Sequence, residues 1–273
     1  MDSLPENTWL SREFCCRWGG RLNIDGKYVK VKGYEKKIPF IYGIDFLTHD
    51  IPVGILAPSE NEAAFDKFFS LLKACKYPLQ IAISDDIAPL KTAMKRYYPK
   101  TRLQLCQTHY LENIRSNLRV RTEEKHRGFF FDLQKAFKRG LHHFKRSAML
   151  RHLFHTKAKK HKETMFVMLD IQARYRELFA YDYKISNCPN TNNIIEAFNS
   201  HIQGRLKSIK GFKSFHSAER WLNAWMLRRR TKAFTDCGKP FKHLNGKCSL
   251  EIVLKKTKKF PKILGVKAPK TKR

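Results

Sequence analysis

Apolar residues between positions 21 and 58 come in three short runs, RLNIDGKYVKVKG, KIPFIYGIDFL and IPVGILAP, each rich in Ile, Val, Tyr and Phe. Gly, Pro and Asp separate them, which predicts three strands joined as an antiparallel meander. In the next segment, NEAAFDKFFSLLKAC, Ala64, Phe68, Leu71 and Leu72 recur at helical spacing. The apolar run PLQIAIS then predicts a strand, IAPLKTAMKRY a helix over 87–97, and TRLQLC a further strand. Three strands, a helix, a strand, a helix and a strand make an α/β pattern with a mixed five-stranded sheet.

Beyond Cys106 the strand signals stop. Residues 107–180 read as helical, with no Pro and only Gly128 and Gly140 as breaks. Between Arg115 and Thr164 there are 15 Lys or Arg against four acids, together with six of the 11 His. This stretch reads as a basic all-α subdomain inserted into the sheet protein, and a merely solvated helical face stands beside that reading. Helical periodicity returns at Asn190, where Ile195, Phe198, Ile202, Leu206 and Ile209 form one apolar stripe. The last 19 residues hold nine basic residues and no acid, the composition of a basic tail that binds phosphates without specificity.

Composition narrows the function classes. The 273 residues contain 55 Lys and Arg and 24 Asp and Glu, a formal charge of +31. Hydrophobic residues at 42% and aromatics at 12% exclude a disordered basic tail, so the chain folds around a core while carrying a strong positive field. Phosphate backbones are the commonest partner for such a field, with a membrane surface second. No run of 18 apolar residues occurs, and MDSLPENTWL has neither a basic start nor an apolar core, so an intracellular, cytoplasmic protein is expected. Seven scattered cysteines without a Cys-x-x-Cys pair argue for reduced thiols.

In so basic a chain, carboxylates at the ends of elements stand out. Around Asp25 the apolar phase slips: Leu22 and Ile24 share one parity, Val29 and Val31 the other. Asp-Gly is a favoured hairpin pair, so a turn and a strand carboxylate beside a bulge both account for the slip. Asp85 follows the strand IAIS and precedes a helix, where α/β sheets place ligand-binding groups. Helix capping is the alternative, with Asp86 the better cap. Glu196 lies beside the apolar stripe among Asn192, Asn193, Asn199, Ser200 and Gln203. A wet groove and an Asn193–Glu196 capping box both fit it. Cys106 and His109 form a Cys-x-x-His, only half of a zinc site, and no second pair lies at the required spacing. His152 and His155 are one turn apart among lysines that disfavour a cation.

Three stretches together carry a family resemblance. LNIDGKYVKVKG, then AISDDIAPLKTAMKRYYPKTRLQLCQTHYLENI, then NTNNIIEAFNSHIQGRLKSIKGFKSFHSAERWLNAWMLRRR resemble, in this order, the catalytic core of DDE transposases from prokaryotic insertion sequences and the Mutator-like group. The likeness spans roughly residues 18–232. The third stretch is the most specific and the first the least.

The resemblance implies an RNase H-like fold in which Asp25, Asp85 and Glu196 bind two Mg²⁺ (or Mn²⁺) ions. The first Asp lies on the central strand, the second at the end of the fourth, and the Glu on a later helix beyond an insertion. It demotes Asp45, Asp50 and Asp86 to bystanders and gives Cys106 and His109 no catalytic role. It further implies phosphodiester cleavage at element ends and strand transfer, with element-end and target DNA as partners, no membrane, and a homodimer or higher oligomer on DNA. The expected organisation is a short segment 1–17, core 18–110, helical insertion 111–180, core helices 181–232 and basic tail 233–273. Members of the group usually carry an N-terminal DNA-binding module, for which the residues before Asp25 are too few, so either a truncated or split element or recognition of the ends by the insertion and tail is expected. A catalytically inactive DNA-binding remnant and an RNase H-like nuclease are the alternatives.

Overall fold

A computed structural model describes residues 4–182 and 187–263. In chain order the elements are α1 (Asn7–Phe14), β1 (Arg21–Val29), β2 (Ile38–Asp45), β3 (Gly54–Leu56), α2 (Glu62–Ala74), β4 (Ile81–Ser84), α3 (Ala88–Tyr97) and β5 (Arg102–Leu105). There follow α4 (Gln107–Asn117), α5 (Arg127–Ala136), α6 (His143–Thr156), α7 (Lys162–Ala173), the short α8 (Tyr175–Leu178), α9 (Asn193–Leu206), α10 (Phe215–Thr231) and α11 (Ser249–Val253). The strands form one mixed sheet in the order β3-β2-β1-β4-β5, the RNase H-like arrangement. No helix among the described residues is long and apolar enough to cross a membrane.

The chain divides into two compact units. One comprises residues 1–82, 87–101 and 193–273; the other comprises 83–86 and 102–192.

In the first unit, β1 runs unbroken through Asp25-Gly26. Its antiparallel register with β2 is continuous from Leu22 opposite Asp45 to Val29 opposite Ile38. There is neither a hairpin turn nor a bulge at Asp25. The slip in apolar phase has another cause, because β1 is buried on both faces over its first half and on one face thereafter. Leu22 and Ile24 are buried on one side, while Val29 and Val31 join the cluster on the other. A strand covered on both sides loses its simple alternation. All eight residues of β2 are buried for the same reason.

The cluster on the Val29 face is built by α9 and α10. Ile195, Phe198 and Ile202 of α9 and Leu222, Trp225 and Met226 of α10 pack on Phe40, Tyr42 and Ile44 of β2. Leu206 and Ile209 continue the α9 stripe at partial burial. Trp225 meets Phe40 and Tyr42 edge-on, at ring separations of 6.2 and 5.8 Å. Helix α10 opens on a reciprocal cap between Ser214 and Ser217.

Behind this layer lies a fully buried ion pair. Arg230 of α10 grips both oxygens of Asp50 at 2.9 Å, and both side chains are 0% exposed. Asp50 also accepts from the Trp18 indole and the Ser249 hydroxyl, and Arg230 from its other nitrogen donates to Asn7 and Ser11. The knot ties α1, the loop after β2, α10 and α11 together. Residues 248–255 accordingly pack rather than trail: Cys16 and Arg17 donate to the Val253 carbonyl, and Lys255 to that of Phe14. Of the expected tail 233–273, the last ten residues, 264–273, lie outside the described residues.

In the second unit, α5, α6 and α7 enclose Phe130, Leu133, Leu150, Leu153, Met168 and Ile171. One of the basic residues of this stretch is structural. Arg146 is 0% exposed, pairs with Asp182, donates to the Ala136 carbonyl and lies 4.4 Å over the Phe179 ring. Gln104 of β5 and Gln107 of α4 both donate to the Leu178 carbonyl, fixing α8 against them.

Candidate active site

Asp25 occupies the middle of β1, directly opposite Tyr42 of β2, with its half-buried side chain on the face covered by α9. Its Oδ2 accepts a hydrogen bond from the Asn199 amide at 2.6 Å, and its Oδ1 accepts from the Gly26 backbone at 2.8 Å. Asn199 in turn accepts from the Tyr42 hydroxyl at 2.9 Å. Burial, then the Asp25 charge, hold the Tyr42 phenol well above its ordinary pKa. It therefore stays a neutral donor, which fixes the Asn199 amide with its oxygen toward Tyr42 and its nitrogen toward Asp25. The chain Tyr42, Asn199, Asp25 thus ends in a donor aimed at a carboxylate.

Glu196 is on α9 one turn before Asn199, so the two share a helix face. The helix begins at Asn193, which makes Asn193 a helical residue rather than the cap that a box with Glu196 requires. Ile195 and Phe198 on either side are buried in the core cluster, and Glu196 is half-buried at its edge.

Asp85 leaves the end of β4. Its Oδ1 lies 2.6 Å from His109 Nδ1, with the two side chains 37% and 40% exposed. Neither Asp85 nor Asp86 caps α3. That helix starts with Ile87 at its cap, without a side-chain hydrogen bond, and Pro in its first turn. Proline at that position supplies helical φ and lacks the N–H that a cap would satisfy. Asp86 pairs instead with Arg174, the residue that ends α7 as its C-cap.

Cys106 directly follows β5 and donates its backbone N–H to the Ser84 carbonyl, which sets the Cys-x-x-His beside the end of β4. Ligand atoms of Asp85, Cys106 and His109 all lie within 4.8 Å of one another. Sulfur is the least suited of the three as a metal donor. Cys106 is 1% exposed, burial pushes its thiol pKa up, and Sγ accepts the Asn192 backbone N–H at 3.4 Å. A thiol held in this state is a packed, hydrogen-bonded group rather than a thiolate. What Asp25, Asp85 and Glu196 offer is carboxylate oxygen, two of them steered by a neighbouring amide or imidazole. Oxygen of this kind, in each unit by itself, is the donor that Mg²⁺ or Mn²⁺ prefer, and it is not the sulfur and nitrogen of a structural zinc site.

Tyr42 and the Asn199 amide were not singled out from sequence as partners of Asp25, nor His109 as the partner of Asp85. The antiparallel register that puts Tyr42 opposite Asp25, 17 residues away, leaves no local signal. Asn199 was visible only as one of several amides on the polar side of α9.

A family profile described as "Transposase, Mutator family" matches residues 8–234. The transposase for insertion sequence element IS1201 of Lactobacillus helveticus is 24% identical over 219 residues, 78% of this chain and 57% of that protein. The chain thus spans a little over half the length of this curated relative.

Proposed function

The chain belongs to the Mutator family of transposases, and from that premise we propose that it cleaves phosphodiester bonds at the ends of a mobile element and joins the freed 3′ end to target DNA. Asp25, Asp85 and Glu196 are the proposed metal-binding carboxylates. The observation that carries the assignment is the fixed donor chain from Tyr42 through Asn199 to Asp25. A carboxylate held in one orientation on the core of a +31 protein is what a cation site requires and what a solvated surface acid lacks.

Two divalent cations, when bound, supply Lewis-acid activation of the attacking oxygen and stabilise the leaving one in an in-line displacement. The chain's own residues orient and hold. Asn199 keeps the Asp25 carboxylate turned to one side, and His109 does the same for Asp85. Exposed Lys138, Lys145, Arg151, Lys159 and Lys160 make no ion pair with another described residue, which leaves them available to neutralise DNA phosphates by counterion release.

The reading is tested by nicking of supercoiled plasmid in Mg²⁺ or Mn²⁺. Wild type converts it to open circle; Asp85→Ala and Glu196→Ala do not. Equal nicking by the variants sinks the carboxylate assignment.

A further inference from the structure

A cleft of about 430 Å³ opens beside Asp85 between α4 and α7, within the second unit. Its size is in the range of sites that hold a small organic group. Helix α4 presents Tyr110, Asn113 and Asn117 to it, α7 presents Phe166 and Asp170, and Arg174 follows directly after α7.

The charges in the cleft argue against a phosphate occupant. Beyond Asp85, the acids Asp86 and Asp170 line it against the single guanidinium of Arg174, which is already bound to Asp86 and, at 2.7 Å, to Asp170. The Tyr110 hydroxyl is also committed to Asp170, at 2.6 Å. An anion entering here meets acids and no uncommitted cation, whereas the exposed lysines elsewhere on this unit offer phosphate a better place.

The remaining lining suits a flat, uncharged, hydrogen-bonding group. Phe166 is 64% exposed, an aromatic ring left open in a concave site. Asn113 and Asn117, a helical turn apart, carry amides that make no side-chain hydrogen bond with another described residue. An amide offers both a donor and an acceptor, the combination that pairs with a base edge. An aromatic face stacks on any base.

Resting on the proposed role of Asp85, we propose that this cleft receives one unpaired base of the DNA strand whose phosphate is cut at Asp85. The base stacks on Phe166 and hydrogen-bonds to Asn113 and Asn117. Enzymes that do chemistry on a base take that nucleotide out of the stack and hold it in a pocket by stacking and edge hydrogen bonds, the same contacts this lining offers. Here the extruded base enters a pocket from which its own phosphate is excluded, which leaves that phosphate at the mouth beside Asp85.

The test measures binding in Ca²⁺ without Mg²⁺, so that affinity is read apart from cutting. Three short duplexes of one sequence are compared: fully paired, bulged at one 2-aminopurine, and bulged at one abasic site. Wild type binds the 2-aminopurine bulge about tenfold more tightly than the abasic bulge, as one stacked base provides, and quenches its emission. Phe166→Ser brings that ratio to about one. Phe144→Ser, at a ring 75% exposed on α6 and not part of the cleft, keeps the ratio and shows that loss of a surface aromatic is not the cause. A ratio of one in wild type overturns the proposal, as does a tenfold ratio that survives in Phe166→Ser combined with Asn113→Ala. The plasmid assay separates this from the carboxylate reading: a ratio of one together with loss of nicking in Asp85→Ala removes the base pocket alone.

Discussion

The side-chain amide of Asn199 donates to the Asp25 carboxylate at 2.6 Å, and it can do so in only one orientation because Tyr42 donates to its oxygen. Replacing Asn199 by Leu removes the donor and leaves the helix and its buried stripe in place. We expect nicking to fall by about 10- to 100-fold, the usual cost of losing a partner that orients a metal-binding group. The half-saturating Mg²⁺ concentration should rise in the same variant. A drop in rate with no change in metal requirement would assign Asn199 to DNA contact instead.

The Cys-x-x-His makes two distinguishable predictions. His109→Ala frees the Asp85 carboxylate, and nicking is expected to fall by roughly 10- to 100-fold with a higher metal requirement. Cys106→Ser retains the nicking rate and loses about 1–3 kcal/mol of stability in urea, because a hydroxyl replaces a thiol in an apolar site. Were the thiol a metal donor, the serine variant would lose activity as fully as the alanine variant at His109.

The Arg230–Asp50 pair is the most exacting place in the first unit. Asp50→Ala leaves a guanidinium at 0% exposure without its counter-ion, and about 3–5 kcal/mol of stability is expected to be lost. The double variant Asp50→Leu with Arg230→Met removes both charges and should be less destabilised than the single one. Denaturant unfolding of the three proteins decides this, with a double variant weaker than Asp50→Ala counting against the explanation.

His49 gives the fold a pH dependence. It lies against the Phe241 ring at 4.5 Å, and burial, helped by His243 and Arg229, lowers its pKa from 6.5 to about 4. The folded state therefore resists a proton that the unfolded chain accepts. Stability is full above about pH 6.5 and falls as the pH drops toward 4, by up to about 1.4 kcal/mol per pH unit from this group. His49→Asn should flatten that part of the profile, and asparagine tolerates the φ of 54° at this position. Unfolding midpoints at pH 7 and pH 4.5 for the two proteins give the comparison.

Much of the architecture was legible along the chain. Apolar runs of period two and of helical period, cut by Gly, Pro and Asp, set out the strands and helices from Arg21 to Cys106, and the Ile195 stripe announced α9, because these signals are local. The charge imbalance pointed to a phosphate-bearing partner, nucleic acid before membrane, and the three carboxylates stood out at element ends, where only the family resemblance chose between site and cap or turn. Tertiary structure decided what each residue does with its neighbours. It decided between the turn and the bulged strand that the Asp-Gly pair left open, placing Asp25 in an unbroken mid-strand, since burial on both faces of β1 blurs the alternation that a one-sided strand would keep. It made Asp50 the partner of a buried arginine 180 residues away. It took Asp86 from a helix cap to Arg174, and it aimed Tyr42 and Asn199 at Asp25. Each of these depends on pairing between residues far apart in the chain, for which no single stretch of sequence carries the register.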